Sequence, residues 1–362
     1  MITTEMVRLS IAMIVKDEED MAPEFLAAAR GLYDELVVVD TGSTDKTVSI
    51  FREAGAHVIS AQWAHDFSAA RNIALDHAKG DWILVLDADE RVSPAFVKEF
   101  KLKMTDPNIG ALNITMVNPL PHGHERVSHL LRAWRNDRSI RFEHAIHEDS
   151  SQSVIKMLAA KHMKVEQVKS PVVHLGYVRA RAVAKDKKAR DLSILVECIK
   201  SDPFDFYSRL KVLELARFWG DRSLWRTQAM AALEALEGGP AVKISNERWG
   251  GEFVGLISEG LHHGTEPEAL AFLNAFEARI LPSAAFYHRR AQCHELSGHI
   301  DFATRDYKKC LTLGANLGNM QLATTRPLLG LSRLALMQNQ PQEALKLAHE
   351  ALAQAPQDPE AL

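Results

Sequence analysis

The nine residues WILVLDADE (82–90) decide the reading of the amino-terminal half. Five consecutive apolar residues, Trp82 to Leu86, form a run that suits a short strand buried on both faces. The run stops at Asp87-Ala88-Asp89, so two carboxylates one residue apart stand at the strand's carboxyl end. Upstream, LSIAMIV (9–15) and ELVVVD (35–40) have the same character, and the second also ends in a carboxylate, Asp40. Helical patterns lie between them: TDKTVSIFREAG (44–55), closed by Gly55, and DFSAARNIALDHAKG (66–80), closed by Gly80. Strand–helix alternation with short turns predicts an α/β domain with a parallel, doubly wound sheet. Ligands in such sheets bind beyond the carboxyl ends of the strands, where Asp40, Asp87 and Asp89 stand.

Past Tyr177 the strand signals stop. From Arg179 onward the chain reads as helices broken at Asp202-Pro203, Gly238-Gly239-Pro240, Glu266-Pro267, Leu281-Pro282 and Gln340-Pro341. Two stretches, 283–315 and 325–356, look like copies of one unit. The first sets Ala284, Tyr287, Ala291, Gly298, Ala303, Tyr307 and Leu311 at the positions of a roughly 34-residue helix–turn–helix repeat of the tetratricopeptide type. The second repeats it with Leu328, Ser332, Ala335, Ala344, Ala348, Ala351, Leu352 and Pro356. Residues 179–280 show no assignable repeat, and Trp219, Trp225 and Trp249 are expected to pack between helices. The expected division is 1–178 for the α/β domain and 179–362 for the helical one.

At 362 residues, 46% hydrophobic and 25% charged, the chain has the profile of a soluble protein of about two domains. A formal charge of −4 argues against an overall electrostatic commitment to nucleic acid or anionic lipid. No apolar run approaches the roughly 18 residues that cross a bilayer. The amino terminus lacks the pattern of a secretion signal, so a cytoplasmic location is expected. Cys198, Cys293 and Cys310 show no CxxC spacing and read as reduced thiols. VRARAVAKDKKAR (178–190) packs six Lys or Arg against one Asp and reads as a solvated helix face.

Four segments in order, AMIVKDEE (12–19), VVVDTGSTDKT (37–47), FSAARNIAL (67–75) and WILVLDADE (82–90), resemble family-2 inverting glycosyltransferases of the GT-A fold. The resemblance spans about residues 8–177. It is greatest to peptide-glycosylating enzymes with helical repeats and to lipopolysaccharide-core glucosyltransferases. One departure stands in the first segment, where Asp17 replaces the usual Asn.

The resemblance implies a Rossmann-like, mostly parallel sheet, a nucleotide-diphosphate sugar donor (UDP the expected nucleotide) and Mn²⁺ or Mg²⁺ as cofactor. A hard divalent cation suits oxygen ligands and neutralises the charge developing on a leaving pyrophosphate. The family pattern puts the metal on Asp89, with Asp87 at the ribose or a metal-bound water and His174, in VVHLGY (172–177), completing the metal site or contacting the pyrophosphate. It puts Asp40 and Glu18 at the nucleotide and Arg71, of the Ala-Arg-Asn triplet, at phosphate oxygens. Arg135, in RAWRND (132–137), is a further phosphate or acceptor candidate. FEHAIHEDSS (142–151) matches the acceptor-side Ile-His-Glu element. An inverting transfer needs one base to take the acceptor proton, and a carboxylate suits that role. Glu148 is the first candidate for it and Asp149 the second. The acceptor is expected to be a peptide or protein bound by the helical half, or alternatively a glycan, and the repeats could support a homo-oligomer.

Overall fold

The apolar run at 9–15 forms the strand β1 (Leu9–Val15), every residue buried except the half-buried Ile14. In this computed structural model the described residues are 7–119, 125–239, 242–314 and 320–354. The chain divides into two units, Met1–Ile194 and Leu195–Leu362.

In the first unit β1 is followed by α1 (Ala22–Ala28), β2 (Glu35–Asp40), α2 (Thr47–Glu53), β3 (His57–Ser60), α3 (Phe67–His77) and β4 (Trp82–Val85). These strands pair in parallel, as the alternation predicts, and the structure sets them in the order β3-β2-β1-β4. Asp66 and Ser93 cap the helices after them by accepting from Ala69 N at 2.8 Å and Phe96 N at 3.2 Å. Gly80 lies three residues past the end of α3 and has a different use from closing it. A Cβ there would stand 2.6 Å from Ser10 N, so only glycine lets the chain re-enter the sheet beside β1.

The remaining elements are β5 (Glu90–Arg91), α4 (Pro94–Met104), β6 (Ile109–Pro119), β7 (Glu125–Arg135), α5 (Ser151–Lys161), β8 (Lys164–His174) and α6 (Gly176–Ser201). They extend one sheet to the order β3-β2-β1-β4-β7-β6-β8-β5. The sheet is mostly parallel as expected, with four of its seven strand pairs parallel. The pairs β4–β7, β6–β7 and β5–β8 are antiparallel, and only β6–β8 returns to parallel. Two long strands joined by a few residues must run antiparallel, because a parallel return needs a crossover of a dozen residues or more. Helix α6 runs through residue 178 and carries the basic run. Of the run's side chains, those from Lys187 onward are described, with Lys187 and Arg190 exposed.

The second unit is built of antiparallel helix pairs: α7 (Phe206–Phe218) with α8 (Arg222–Gly238), then, after the short α9 (Val242–Ser245), α10 (Gly250–Leu261) with α11 (Glu266–Phe276). Next come α12 (Ala284–Leu296) with α13 (Ile300–Leu313) and α14 (Thr325–Met337) with α15 (Pro341–Gln354). The last two pairs are the two sequence repeats. Ala291, Ala303 and Tyr307 pack with Leu331 and Leu334 of the next copy, and the Tyr307 ring fills the space a Cβ on Gly330 would need. Pro356 lies outside the described residues.

The first two pairs, within residues 179–280, turn in the same way as the last two. Each of the four turns holds one left-handed residue, Gly220, Gly264, Gly298 or Asn339, at φ 65, 79, 72 and 60°. Trp225 packs as expected, donating to Leu256 O at 3.1 Å, and Trp249 meets Phe253. Trp219 does not pack fully and is 39% exposed. All three cysteines are free thiols, Cys293 and Cys310 buried.

Candidate active site

The carboxyl ends of β1 and β2 lead into two loops that are stitched together. Asp17 sits in the left-handed region at φ 54°, which Asn and Asp tolerate better than most residues. Its carboxylate accepts from Thr44 N at 2.7 Å and Thr44 Oγ1 at 3.2 Å, and its own N–H donates to Ser43 Oγ at 2.9 Å. An aspartate in place of the family's asparagine keeps the conformation and the acceptor oxygen. The Glu18 N–H donates to Thr47 Oγ1 at 2.7 Å, and Glu18 is half-buried beside the same turn. Asp40 is 5% exposed and accepts from Gly42 N at 3.3 Å and Ser43 N at 3.0 Å. It therefore shapes the turn on which any nucleotide contact from this strand depends.

Past β4 the Asp87–Glu90 turn closes on itself. The Glu90 N–H donates to Asp87 O at 3.0 Å, and the Asp87 N–H donates to Glu90 Oε2 at 2.9 Å. Helix α3 then supplies the central cation. The Arg71 Nε donates to Glu148 Oε1 at 2.7 Å, and its two Nη groups donate to Asp87 Oδ1 and Oδ2 at 3.1 and 3.3 Å. Burial opposes the charge on Arg71, but Asp87 and Glu148 more than offset it, so its pKa is raised and the cation is kept.

The neighbour of Arg71 makes this meeting possible. The Asn72 Nδ2 donates to Phe142 O and its Oδ1 accepts from Phe142 N, both at 2.9 Å. This pins the segment that ends in Glu148. In the sequence Ala-Arg-Asn stands out as a motif, yet nothing in it assigns Asn72 a role. The side chain has the two-way donor–acceptor character such a clamp requires.

Arg132 is the other residue not anticipated. It lies 3.6 Å from Asp87 Oδ2 and 3.7 Å from Glu90 Oε1. Burial alone would raise the Asp87 carboxyl, yet Arg71 and Arg132 hold it down at about 2. Burial pushes Glu90, 2% exposed, up to about 7; Arg132 opposes this, and Asp87 and Asp89 add to it. Glu148, Arg71, Asp87, Arg132 and Glu90 thus form a row of alternating charge.

Arg135 is not brought to this row. Strand β7 runs antiparallel to β4 with Arg135 opposite Trp82, at the amino end of β4, whereas Asp87 follows its carboxyl end. The Arg135 guanidinium lies 5.3 Å from the Trp82 ring centroid and donates to Ile109 O and Asp106 O, both at 2.9 Å. It is a structural residue there.

Strand β8 returns His174 to the turn through the register Glu90↔His174. His174 Nε2 lies 3.2 Å from Asp89 Oδ2, and Nδ1 lies 2.7 Å from Asn118 Oδ1. The bond to Asp89 raises the His174 pKa against the effect of burial. Of the three residues expected at a metal, the structure pairs Asp89 and His174, while the Asp87 carboxylate is committed to arginines. Among the described residues no group of three or more His, Cys, Asp or Glu is arranged to hold a metal. Asp149 is drawn away from the row. Its Oδ1 accepts from Ser151 N at 3.0 Å and Ser151 Oγ at 2.6 Å, at the first residue of α5.

Residues 10–180 match the model of Glycosyl transferase family 2. A TPR repeat-containing protein of Synechococcus elongatus is 36% identical over 208 residues, covering 56% of this chain and 50% of the relative. The SPbeta prophage-derived glycosyltransferase SunS of Bacillus subtilis is 26% identical over 203 residues, covering 54% of this chain and 46% of the relative. The chain spans about half the length of these curated relatives. Among solved structures, S. aureus TarS 1-349 in complex with UDP-GlcNAc is 16% identical, with 85% of this chain and 93% of that one covered at a TM-score of 0.40. The amino-terminal half of this chain, over residues 10–180, is a glycosyl transferase family 2 domain.

Proposed function

We propose that this chain transfers a sugar from a UDP-sugar to a peptide or protein acceptor, with inversion at the anomeric carbon. The observation that supports this best is Arg71 joining Asp87 and Glu148 beyond the carboxyl end of β4. One cation there links a candidate donor-side carboxylate to a candidate base. In the reaction the acceptor proton passes to Glu148 as the new glycosidic bond forms, and the bond to the diphosphate breaks to release UDP. Arg71 fixes the direction of the Glu148 carboxylate, and Arg132 with Arg71 keeps Asp87 ionised beside the donor. Asp40 and Glu18 shape the nucleotide side. The repeats of the second unit offer the extended surface that a peptide acceptor needs.

The donor set fits a divalent cation held by two protein ligands. Asp89 offers oxygen and His174 offers Nε2, with Nδ1 directed at Asn118 as metal-binding histidines commonly are. The diphosphate and water would supply the other ligands. Bound there, Mn²⁺ or Mg²⁺ neutralises charge on the departing diphosphate.

The test is thermal unfolding with a panel of UDP-sugars, with and without Mn²⁺, together with UDP release. One UDP-sugar should raise Tm and release UDP slowly, and EDTA should remove both effects. If no UDP-sugar shifts Tm in the presence of Mn²⁺, the proposal fails.

A further inference from the structure

Strand β6 buries a polar residue near its end. Asn118, in IGALNITMVNP (109–119), is 8% exposed, and asparagine is a residue that strands disfavour. A buried amide of this kind needs hydrogen-bond partners. The parallel register of β6 on β8 pairs Val117 with Val173, so Asn118 stands beside His174, the next residue of β8. There the His174 Nδ1 and the Asn118 Oδ1 meet at 2.7 Å.

The backbone fixes where His174 stands but not which atom of its ring faces Asp89. Glu90 pairs with His174 in register, and the Leu175 N–H donates to Asp89 O at 2.9 Å. Both leave the imidazole free to turn about its Cβ–Cγ bond, a torsion with two broad wells. A half turn would put Cε1, a carbon, where Nε2 now lies 3.2 Å from Asp89 Oδ2. Nδ1 can donate to the Asn118 oxygen, whereas the Cδ2 that replaces it in the turned ring cannot. The same bond puts a proton on Nδ1, which in neutral imidazole leaves the lone pair on Nε2. A neutral amide does this without adding negative charge to a turn that already holds Asp87, Asp89 and Glu90.

We propose that Asn118 is a positioning residue, holding the His174 ring in the orientation and tautomer that present Nε2 to a divalent cation beside Asp89. The inference rests on the two-ligand cation site proposed above and adds the residue that preorganises it. Asn118 acts through His174 and need not touch the cation, the donor or the acceptor.

The experiment is Mn²⁺ titration of the 362-residue chain with UDP present, the free ion being read by its electron paramagnetic resonance signal. Asn118→Leu matches the side chain in size and cannot accept, and it should weaken Mn²⁺ binding about 10–100-fold. Asn118→Asp keeps the accepting oxygen and should bind Mn²⁺ at least as tightly as the parent. UDP binding without metal, and the metal-free Tm of Asn118→Asp, should stay near the parental values. Parental Mn²⁺ affinity in Asn118→Leu would overturn the inference. So would an Asn118→Asp chain that binds as weakly as Asn118→Leu, since the amide would then be acting as a donor. If His174→Ala weakens Mn²⁺ binding and Asn118→Leu does not, the cation site stands and Asn118 has no part in it. Failure of the parent to bind Mn²⁺ with UDP would refute the cation site itself, and this inference with it.

Discussion

Arg71 and Glu148 lie 77 positions apart in sequence, yet the Arg71 Nε donates to Glu148 Oε1 at 2.7 Å while the rest of the same guanidinium faces Asp87. Arg71 is 7% exposed, so removing it strands two carboxylates in a poorly solvated place. Arg71→Ala should destabilise the chain by about 3 kcal/mol, the range for breaking a buried ion pair, and abolish transfer. Arg71→Lys should recover part of the stability and little activity, because an ammonium cannot serve both carboxylates in the guanidinium's geometry. Urea unfolding beside UDP release measures both. A lysine variant with parental turnover would reduce Arg71 to a counter-ion.

The two candidate bases separate by their partners. Glu148→Gln keeps the shape and an acceptor oxygen toward Arg71, so UDP-sugar binding should stay near the parental value. Transfer should fall on the order of 10²–10⁴, as when a general base is removed. Asp149→Ala should instead cost about 1 kcal/mol of stability through the lost bonds from Ser151, with turnover nearly unchanged. The reverse pattern would move the base to Asp149.

Arg132 and Arg135 lie three residues apart but at opposite ends of the β4 pairing. Arg132→Gln should lower turnover at least about tenfold, because Asp87 and Glu90 lose a shared cation. Arg135→Gln should lower Tm through its lost carbonyl bonds and leave turnover within about twofold. Equal losses of turnover in the two variants would contradict this assignment.

Metal removal gives a direct check on Asp89 and His174. Asp89→Asn and His174→Ala should each eliminate the Mn²⁺-dependent part of the rise in Tm with a UDP-sugar, while the metal-free melting curve moves little. Retention of the full Mn²⁺ effect in both variants would place the cation elsewhere.

His288 provides a pH test in the helical unit. It is 9% exposed; burial first, then Arg333, Arg326 and Arg217, lower its pKa to about 4. Its unfolded value is about 6.5, so the unfolded chain binds the proton first. The stability contribution of neutral His288 is complete above about pH 6.5. It declines as pH falls through that value toward about 4 and is constant below. The gap corresponds to about 3 kcal/mol. His288→Gln should therefore lose less stability than the parent between about pH 7 and about pH 4 by urea unfolding. Parallel losses would show that the folded state accepts the proton.

Much of this protein was legible locally. The apolar runs 9–15 and 35–40 became β1 and β2 residue for residue, because unbroken burial is a property of neighbouring side chains. Ser93 and Pro94 opened α4 for a similarly local reason, a hydroxyl capping the next free amide beside a ring preset for helix. The clear repeats emerged from small residues at fixed spacing. The first two helix pairs escaped because their close approaches use other residues. Gly260 sits against the Trp225 ring and Gly251 against Ser283, so the small-residue pattern changes while the turn glycines persist.

What the sequence determined by itself is the three strands β1, β2 and β4, the carboxylates at the ends of β2 and β4, and the change from sheet to helices. Each depends on periodicity, caps and turns within a few residues. Only the tertiary structure decided which charges meet. The antiparallel register of β7 on β4 selects Arg132 over Arg135, and the Asn72–Phe142 clamp carries Glu148 to Arg71. The start of α5 claims Asp149, and the Gly42–Ser43 turn claims Asp40. A carboxylate or guanidinium has the same intrinsic chemistry wherever it stands in the chain. Its partner is set by strand register and by burial, which a short stretch of sequence does not contain.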